Sequence, residues 1–164
     1  MWPSQPHPFG SGNRFLLTGE NCALGRINEG YGSRFFLINR KGEIVSSGWR
    51  LADDFSEGLA LVATRDVDPL YGYIAKDGKY VIQHQFWSAN SFSEGMASVK
   101  TPANKWGFID KTGRMVLEAK YDYVLGIDLQ YGLGFYSGIA SVKIGERYAY
   151  IDRTGRVISY KDLD

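Results

Sequence analysis

The sequence is poor in the residues that most chemistry needs. It has one cysteine, Cys22, and two histidines, His7 and His84, among 164 residues. A single thiol excludes an internal disulfide framework and leaves no Cys/His set with metal-site spacing. Cys22 has no nearby histidine or basic cluster to activate it, and His84 stands in Gln83-His84-Gln85 without a motif-level partner. No Gly-x-Ser-x-Gly elbow marks a nucleophile. The expectation is therefore no catalytic residue, no metal and no cofactor. Charge of one sign is missing too. The 19 Lys and Arg against 18 Asp and Glu give a net charge of +1, and that balance gives no general reason to expect nucleic acid as a partner. Apolar runs are only a few residues long, against the roughly 20 that a membrane-spanning helix requires. The first ten residues carry three prolines and no basic region leading into an apolar stretch, unlike a secretory signal. These absences predict a cytoplasmic protein, with residues 1–13 as a Pro/Gly-rich arm and 14–164 as one domain.

What is present is glycine and aromatic side chains: 20 Gly, 11 Tyr, 9 Phe and 4 Trp. Apolar residues at 44% and charged residues at 23% are those of a folded chain. The mix suits short strands separated by many turns.

Two motifs recur. Phe55-Ser56-Glu57-Gly58-Leu59-Ala60-Leu61-Val62 returns as Phe92-Ser93-Glu94-Gly95-Met96-Ala97-Ser98-Val99 and as Phe135-Tyr136-Ser137-Gly138-Ile139-Ala140-Ser141-Val142. Between them runs an aromatic unit that ends in a turn glycine. It reads Phe35-Phe36-Leu37-Ile38 to Gly42, Tyr71-Gly72-Tyr73-Ile74 to Gly78, Trp106-Gly107-Phe108-Ile109 to Gly113, and Tyr148-Ala149-Tyr150-Ile151 to Gly155. The aromatic-Gly-aromatic-Ile run is a strand, and the glycine supplies the positive φ of a tight hairpin. A second strand follows, and an aromatic falls seven or eight residues after the turn glycine, at Trp49, Phe86 and Tyr121. The Gly-x-Ala-x-Val stretch is a third strand. Adjacent apolar pairs such as Tyr73-Ile74 point to opposite faces, so both faces are expected to be buried.

Trp106-Gly107-Phe108-Ile109-Asp110 with Thr112-Gly113, joined to the Phe-Ser-Glu-Gly motif, resembles the bacterial WG-repeat family over roughly residues 35–159. The family glycine is replaced at Phe36 and Ala149. The resemblance implies a β-repeat scaffold and carries over no catalytic residue.

The copies predict an all-β repeat protein of about four three-stranded units. The last copy, 148–159, lacks the third strand, and Ala23-Leu24-Gly25-Arg26-Ile27 has that strand's pattern. Segment 23–27 is thus expected to complete the last copy and close a propeller-like toroid, the alternative being an open β-repeat stack. Phe15-Leu16-Leu17 could add a strand at the seam, and 117–134 reads largely as a loop.

In a repeat, shared residues build and unshared residues tend to bind. The third copy has eight or nine extra residues within 121–134. Tyr123, Leu125, Asp128 and Tyr131 there are candidate partner-binding residues, with a plug for the core as the competing reading. The exposed connection Arg65, Asp66 and Asp68 is a second candidate. Trp87, where Arg50 and Asp122 stand in other copies, is a third, with an extra core aromatic as the competing reading. The function expected is a non-enzymatic protein that binds another protein, such as an immunity-type inhibitor of a bacterial toxin or an adaptor. The alternatives are a small-ligand-binding or hydrolytic domain with a pocket at the repeat axis, and an RNA-binding module using the basic hairpin turns. Oligomeric state is left open.

Overall fold

The computed structural model describes residues 14–17, 22–29, 32–125 and 133–161, and all regular structure there is β. The strands form four antiparallel sheets, each of four strands joined in chain order. Sheet 1 holds β1 (Arg14–Leu17), β2 (Cys22–Glu29), β3 (Gly32–Asn39) and β4 (Ile44–Trp49). Sheet 2 holds β5 (Leu51–Ala52), β6 (Ala60–Ala63), β7 (Tyr71–Ile74) and β8 (Tyr80–Phe86). Sheet 3 holds β9 (Ser88–Ala89), β10 (Met96–Lys100), β11 (Trp106–Asp110) and β12 (Met115–Tyr121). Sheet 4 holds β13 (Tyr123–Leu125), β14 (Ile139–Ile144), β15 (Arg147–Asp152) and β16 (Val157–Lys161).

The repeat unit is therefore four-stranded, and its phase differs from the expected one. Segment 23–27 does not complete the last copy. It lies in β2, which pairs with β3 on one side and β1 on the other. The last copy is completed by its own β14. The physical reason is local. The Gly-x-Ala-x-Val strand forms a hairpin with the aromatic strand that follows it, and two or three residues beginning two positions after each recurring aromatic add a short first strand. Phe15-Leu16-Leu17 falls in β1, so it does form a strand. The segment from 117 is not a loop at its start, since β12 runs to Tyr121 and β13 covers Tyr123–Leu125.

Alternation along the strands divides the core. Ala60, Val62 and Ile74 pack with Leu24, Leu37 and Trp49 of sheet 1. Leu59, Leu61 and Tyr73 pack with Ala97, Val99 and Ile109 of sheet 3. Phe108, Leu117 and Tyr121 meet Ala140, Val142 and Ile151 of sheet 4. Both faces of the middle sheets are buried, as the adjacent apolar pairs require. Each large side chain so buried contributes roughly 1.5–3 kcal/mol.

The shared Ser-Glu pair ties one sheet to the next. Ser56 Oγ donates to the Phe92 carbonyl at 2.7 Å, and Ser93 Oγ donates to the Phe135 carbonyl at 2.7 Å. Gly95 N–H donates to the Glu57 carboxylate at 3.0 Å, and Gly138 N–H donates to Glu94 at 2.9 Å. Lys111 and Arg153 reach the same two carboxylates at 3.1 and 3.5 Å. The glutamates work across the sheet boundary, from two-residue turns in which Glu57 and Glu94 have φ of 52° and 53°.

Candidate functional site at the loop end of the sheets

The array has two distinguishable ends. The turn glycines of sheets 2, 3 and 4 each lie against the outer strand of the sheet before, whereas a Cβ on Gly42 of sheet 1 would meet nothing within 4 Å. A Cβ built on Gly78 would sit 2.8 Å from Ser46 Cβ, one on Gly113 would sit 3.3 Å from Ile82, and one on Gly155 would sit 3.1 Å from Leu117. The same register recurs at these three boundaries, so the hairpin turns gather at one end, and the connections 64–70, 101–105 and 145–146 gather at the other. The links from each outer strand into the next sheet, at Arg50, Trp87 and Asp122, also lie at this loop end, because their N–H groups donate to the carbonyls of Ala63, Lys100 and Lys143.

Charge at the turn end is compensated locally. Asp110 accepts from Thr112 N–H, Thr112 Oγ1, Arg114 N–H and Arg114 Nε. Asp152 repeats the pattern with Thr154 and Arg156. The Thr154 hydroxyl bond, with further help from Arg156, pulls the Asp152 carboxyl down to about 2. Lys79, Lys111 and Arg153 also have carboxylate partners. Lys79, Lys111, Arg114, Arg153 and Arg156 are thus paired, whereas Arg40, Lys41 and Lys76 have no ion pair among the described residues.

The loop end is different. Trp87 and Tyr123 each expose half of their surface there. Tyr123 opens β13 opposite Lys143, with its ring edge-on to Trp106 at 6.2 Å. Lys100 ends β10 opposite Ser88, next to Trp87. Asp122 holds the region together. It accepts from Lys105 Nζ and, at 2.7 Å, from Gly145 N–H, and these bonds keep its carboxyl below the usual range. It therefore joins the loop of sheet 3 to the turn of sheet 4. Arg147 lies 3.6 Å above the Tyr160 ring, and Lys143 lies 5.7 Å from the Tyr148 ring.

The candidates from the sequence fall as follows. Arg65, Asp66 and Asp68 are exposed in the loop of sheet 2, which Thr64 closes by pairing with Leu70. Trp87 and Tyr123 share the loop end with them. Leu125 is half-buried at the end of β13, and its neighbour Val124 is fully buried. Asp128 and Tyr131 lie outside the described residues. Of the residues not chosen, His84 is exposed with its ring edge-on to Tyr80 at 5.6 Å. Cys22 is buried. Sequence reasoning missed Lys100, Lys143 and Arg147. The available signal was Lys100 and Lys143 at the register position where sheet 2 has Ala63.

The fold is a four-sheet antiparallel β-repeat with hydrogen-bonded latches between neighbouring sheets. The chain belongs to the WG containing repeat family, whose model matches residues 35–66, 71–101 and 106–148. Among curated proteins, none matches it in sequence. Among solved structures it is similar to the computationally designed Ika8 protein, with a TM-score of 0.54, 12% identity, and coverage of 92% of this chain and 48% of that one. It also aligns with BamB from Moraxella catarrhalis, with a TM-score of 0.49, 13% identity, and coverage of 87% and 50%. The WD40 β-propeller domain of Doa1 aligns with a TM-score of 0.42, 12% identity, and coverage of 89% and 52%. The chain spans about half the length of these structures. Among the described residues no helix is long and apolar enough to cross a membrane.

Proposed function

We propose that this chain is a non-enzymatic bacterial β-repeat protein of the cytoplasm that binds another protein through the loop end of its sheets. The observation that carries the reading is the pair Trp87 and Tyr123. Both are large, half-exposed aromatics at positions where the sibling sheets have other residue types, so the scaffold does not call for them. Exposed aromatics of this kind anchor interfaces. A stoichiometric inhibitor of the toxin-immunity kind, or an adaptor, is the role this suits. The experiment is capture from the source organism's lysate with the wild-type chain and with Trp87→Ala and Tyr123→Ala. The expected outcome is a partner that the wild type holds at near-equal stoichiometry and that both variants lose at least tenfold, the hot-spot scale. A partner held equally by all three chains would move the interface elsewhere.

The same reading has the four sheets closing as a toroid. Two facts support it. The Ser-Glu latch repeats with one geometry at the boundary of sheets 2 and 3 and at that of sheets 3 and 4, as a ring of like units would have it. Ala23, Phe36 and Ile38, on the face of sheet 1 turned away from sheet 2, are buried, whereas the end face of an open stack would be open to water unless another segment covered it.

A further inference from the structure

We infer that the toroid opens and closes at one boundary, between sheet 4 and sheet 1, because the anion that latches the neighbouring boundaries is missing there. This rests on the reading that the four sheets close as a ring. Glu57 of sheet 2 meets Lys111 of sheet 3, and Glu94 of sheet 3 meets Arg153 of sheet 4. In the third copy of the motif, Tyr136 and Ser137 take the places of the serine and the glutamate. Ser137 keeps the left-handed backbone, with φ of 51°, but is exposed and brings no charge to the next sheet. The cation that would answer it is Arg40. It holds in the turn of sheet 1 the place of Lys111 and Arg153, two residues before the turn glycine. Arg40 is exposed and takes part in no ion pair among the described residues. The boundary of sheets 1 and 2 differs from this one in sequence. The register of Ala23 with Ile38 sets position 20 level with Glu57, and it is Glu20, outside the described residues.

Packing sets the same boundary apart. A Cβ on Gly78, Gly113 or Gly155 would lie within 3.3 Å of the preceding sheet, whereas one on Gly42, whose preceding sheet in the ring is sheet 4, meets nothing within 4 Å. The apolar side chains of sheets 1 and 2, of 2 and 3, and of 3 and 4 merge into shared clusters, but Ala23, Phe36 and Ile38 form a cluster with no member from sheet 4. On sheet 4, Tyr150 is partly exposed at the register position where Tyr73 and Phe108 are fully buried. Local opening takes place where buried apolar contacts and bonds are fewest. Opening at this boundary uncovers Ala23, Phe36 and Ile38, so it governs access to an apolar face.

The test is the distribution of spin-label distances between cysteines at 45 and 158, across this boundary, and at 45 and 81, across that of sheets 1 and 2. With Ser137 in place, the two pairs should share one main distance, and 45–158 alone should show a second, longer population of about one molecule in ten. Ser137→Glu should reduce that population about tenfold, as a hydrogen bond to a charged group allows, and should raise the urea midpoint. Ser137→Gln, which adds length without charge, should do neither. Arg40→Gln should cancel both effects of Ser137→Glu, with melting curves showing that every variant is folded. A 45–158 distribution as narrow as that of 45–81, or one that Ser137→Glu leaves unchanged, overturns the inference and leaves the ring standing. A single 45–158 distance two or more times the 45–81 distance in every variant would overturn the ring itself.

Discussion

Glu57 and Glu94 hold a backbone conformation that favours glycine, and they are followed by Gly58 and Gly95, which have positive φ as well. A non-glycine residue in the left-handed region costs roughly 1–2 kcal/mol, so the side chain must return more than that. It does so by accepting the next sheet's Gly N–H and a Lys or Arg, since hydrogen bonds to a charged group are worth about 1.5–3 kcal/mol. Glu94→Gly separates the two effects. It relieves the backbone and removes the latch, and the expected outcome is a lower urea midpoint. An unchanged or higher midpoint would mean that the latch returns no more than the backbone conformation costs. Asp152 makes the second case at this scale. Its pKa falls from 3.8 in the open chain to about 2 in the fold. A depressed carboxylate gives stability that is fully present above the unfolded value and is lost as pH drops through the folded one. The gap in melting temperature between wild type and Asp152→Asn should therefore hold at neutral pH and shrink between about pH 4 and pH 2.

At the scale of the strand, the family glycine is explained by a bulge. In sheet 3 the outer strand advances four positions, from Leu117 to Tyr121, where β11 advances two, from Phe108 to Trp106. The excess backbone passes over Gly107, where a Cβ would sit 2.7 Å from the Leu117 carbonyl oxygen and 2.9 Å from Ala119 Cα. Sheet 2 does the same at Gly72, 2.7 Å from the Ile82 carbonyl oxygen. Sheet 1 has the shorter bulge at Gly48, and Phe36 fits because its ring lies over Gly25 on the neighbouring strand. Sheet 4 pairs Tyr148 to Tyr150 with Lys161 to Ser159 residue for residue, and Ala149 fits. Gly107→Ala should therefore cost about 1–3 kcal/mol through backbone overpacking. Ala149→Gly should cost only roughly 0.5–1 kcal/mol, through chain entropy. Equal losses in urea melts would contradict the bulge account. The spacing of seven or eight residues from the turn glycine to Trp49, Phe86 and Tyr121 already carried this difference. The hairpin turns and the doubly buried strands were legible in the same way, since each rests on local pattern. The phase of the unit was not. Strands such as β5 and β9 have two residues each, too few to show alternation, and without them the Gly-x-Ala-x-Val segment at 23–27 looked unpaired. The meeting of Lys100, Lys143 and Arg147 at the loop end was hidden for another reason: they come from strand ends of two sheets, and only the register brings them to one end.

For the whole molecule, the separation of roles between the two ends leaves the outer strands as neutral reporters. Val45, Val81 and Ile158 occupy the same register position on β4, β8 and β16, and each is about half exposed. They belong neither to the latches nor to the loop end, so labels placed there should leave both intact. In a toroid of four sheets, sheet 4 is as near to sheet 1 as sheet 2 is. In an open stack with sheets roughly 10 Å apart, sheet 4 is about three times as far. Spin labels on paired cysteines at positions 45 and 81, and separately at 45 and 158, read this directly, with the buried Cys22 left in place. Equal distances for the two pairs are the expected result, because the burial of Ala23, Phe36 and Ile38 calls for cover on that face of sheet 1. A 45–158 distance two or more times the 45–81 distance would establish the open stack. In that case residues outside the four sheets would have to cover the end face of sheet 1.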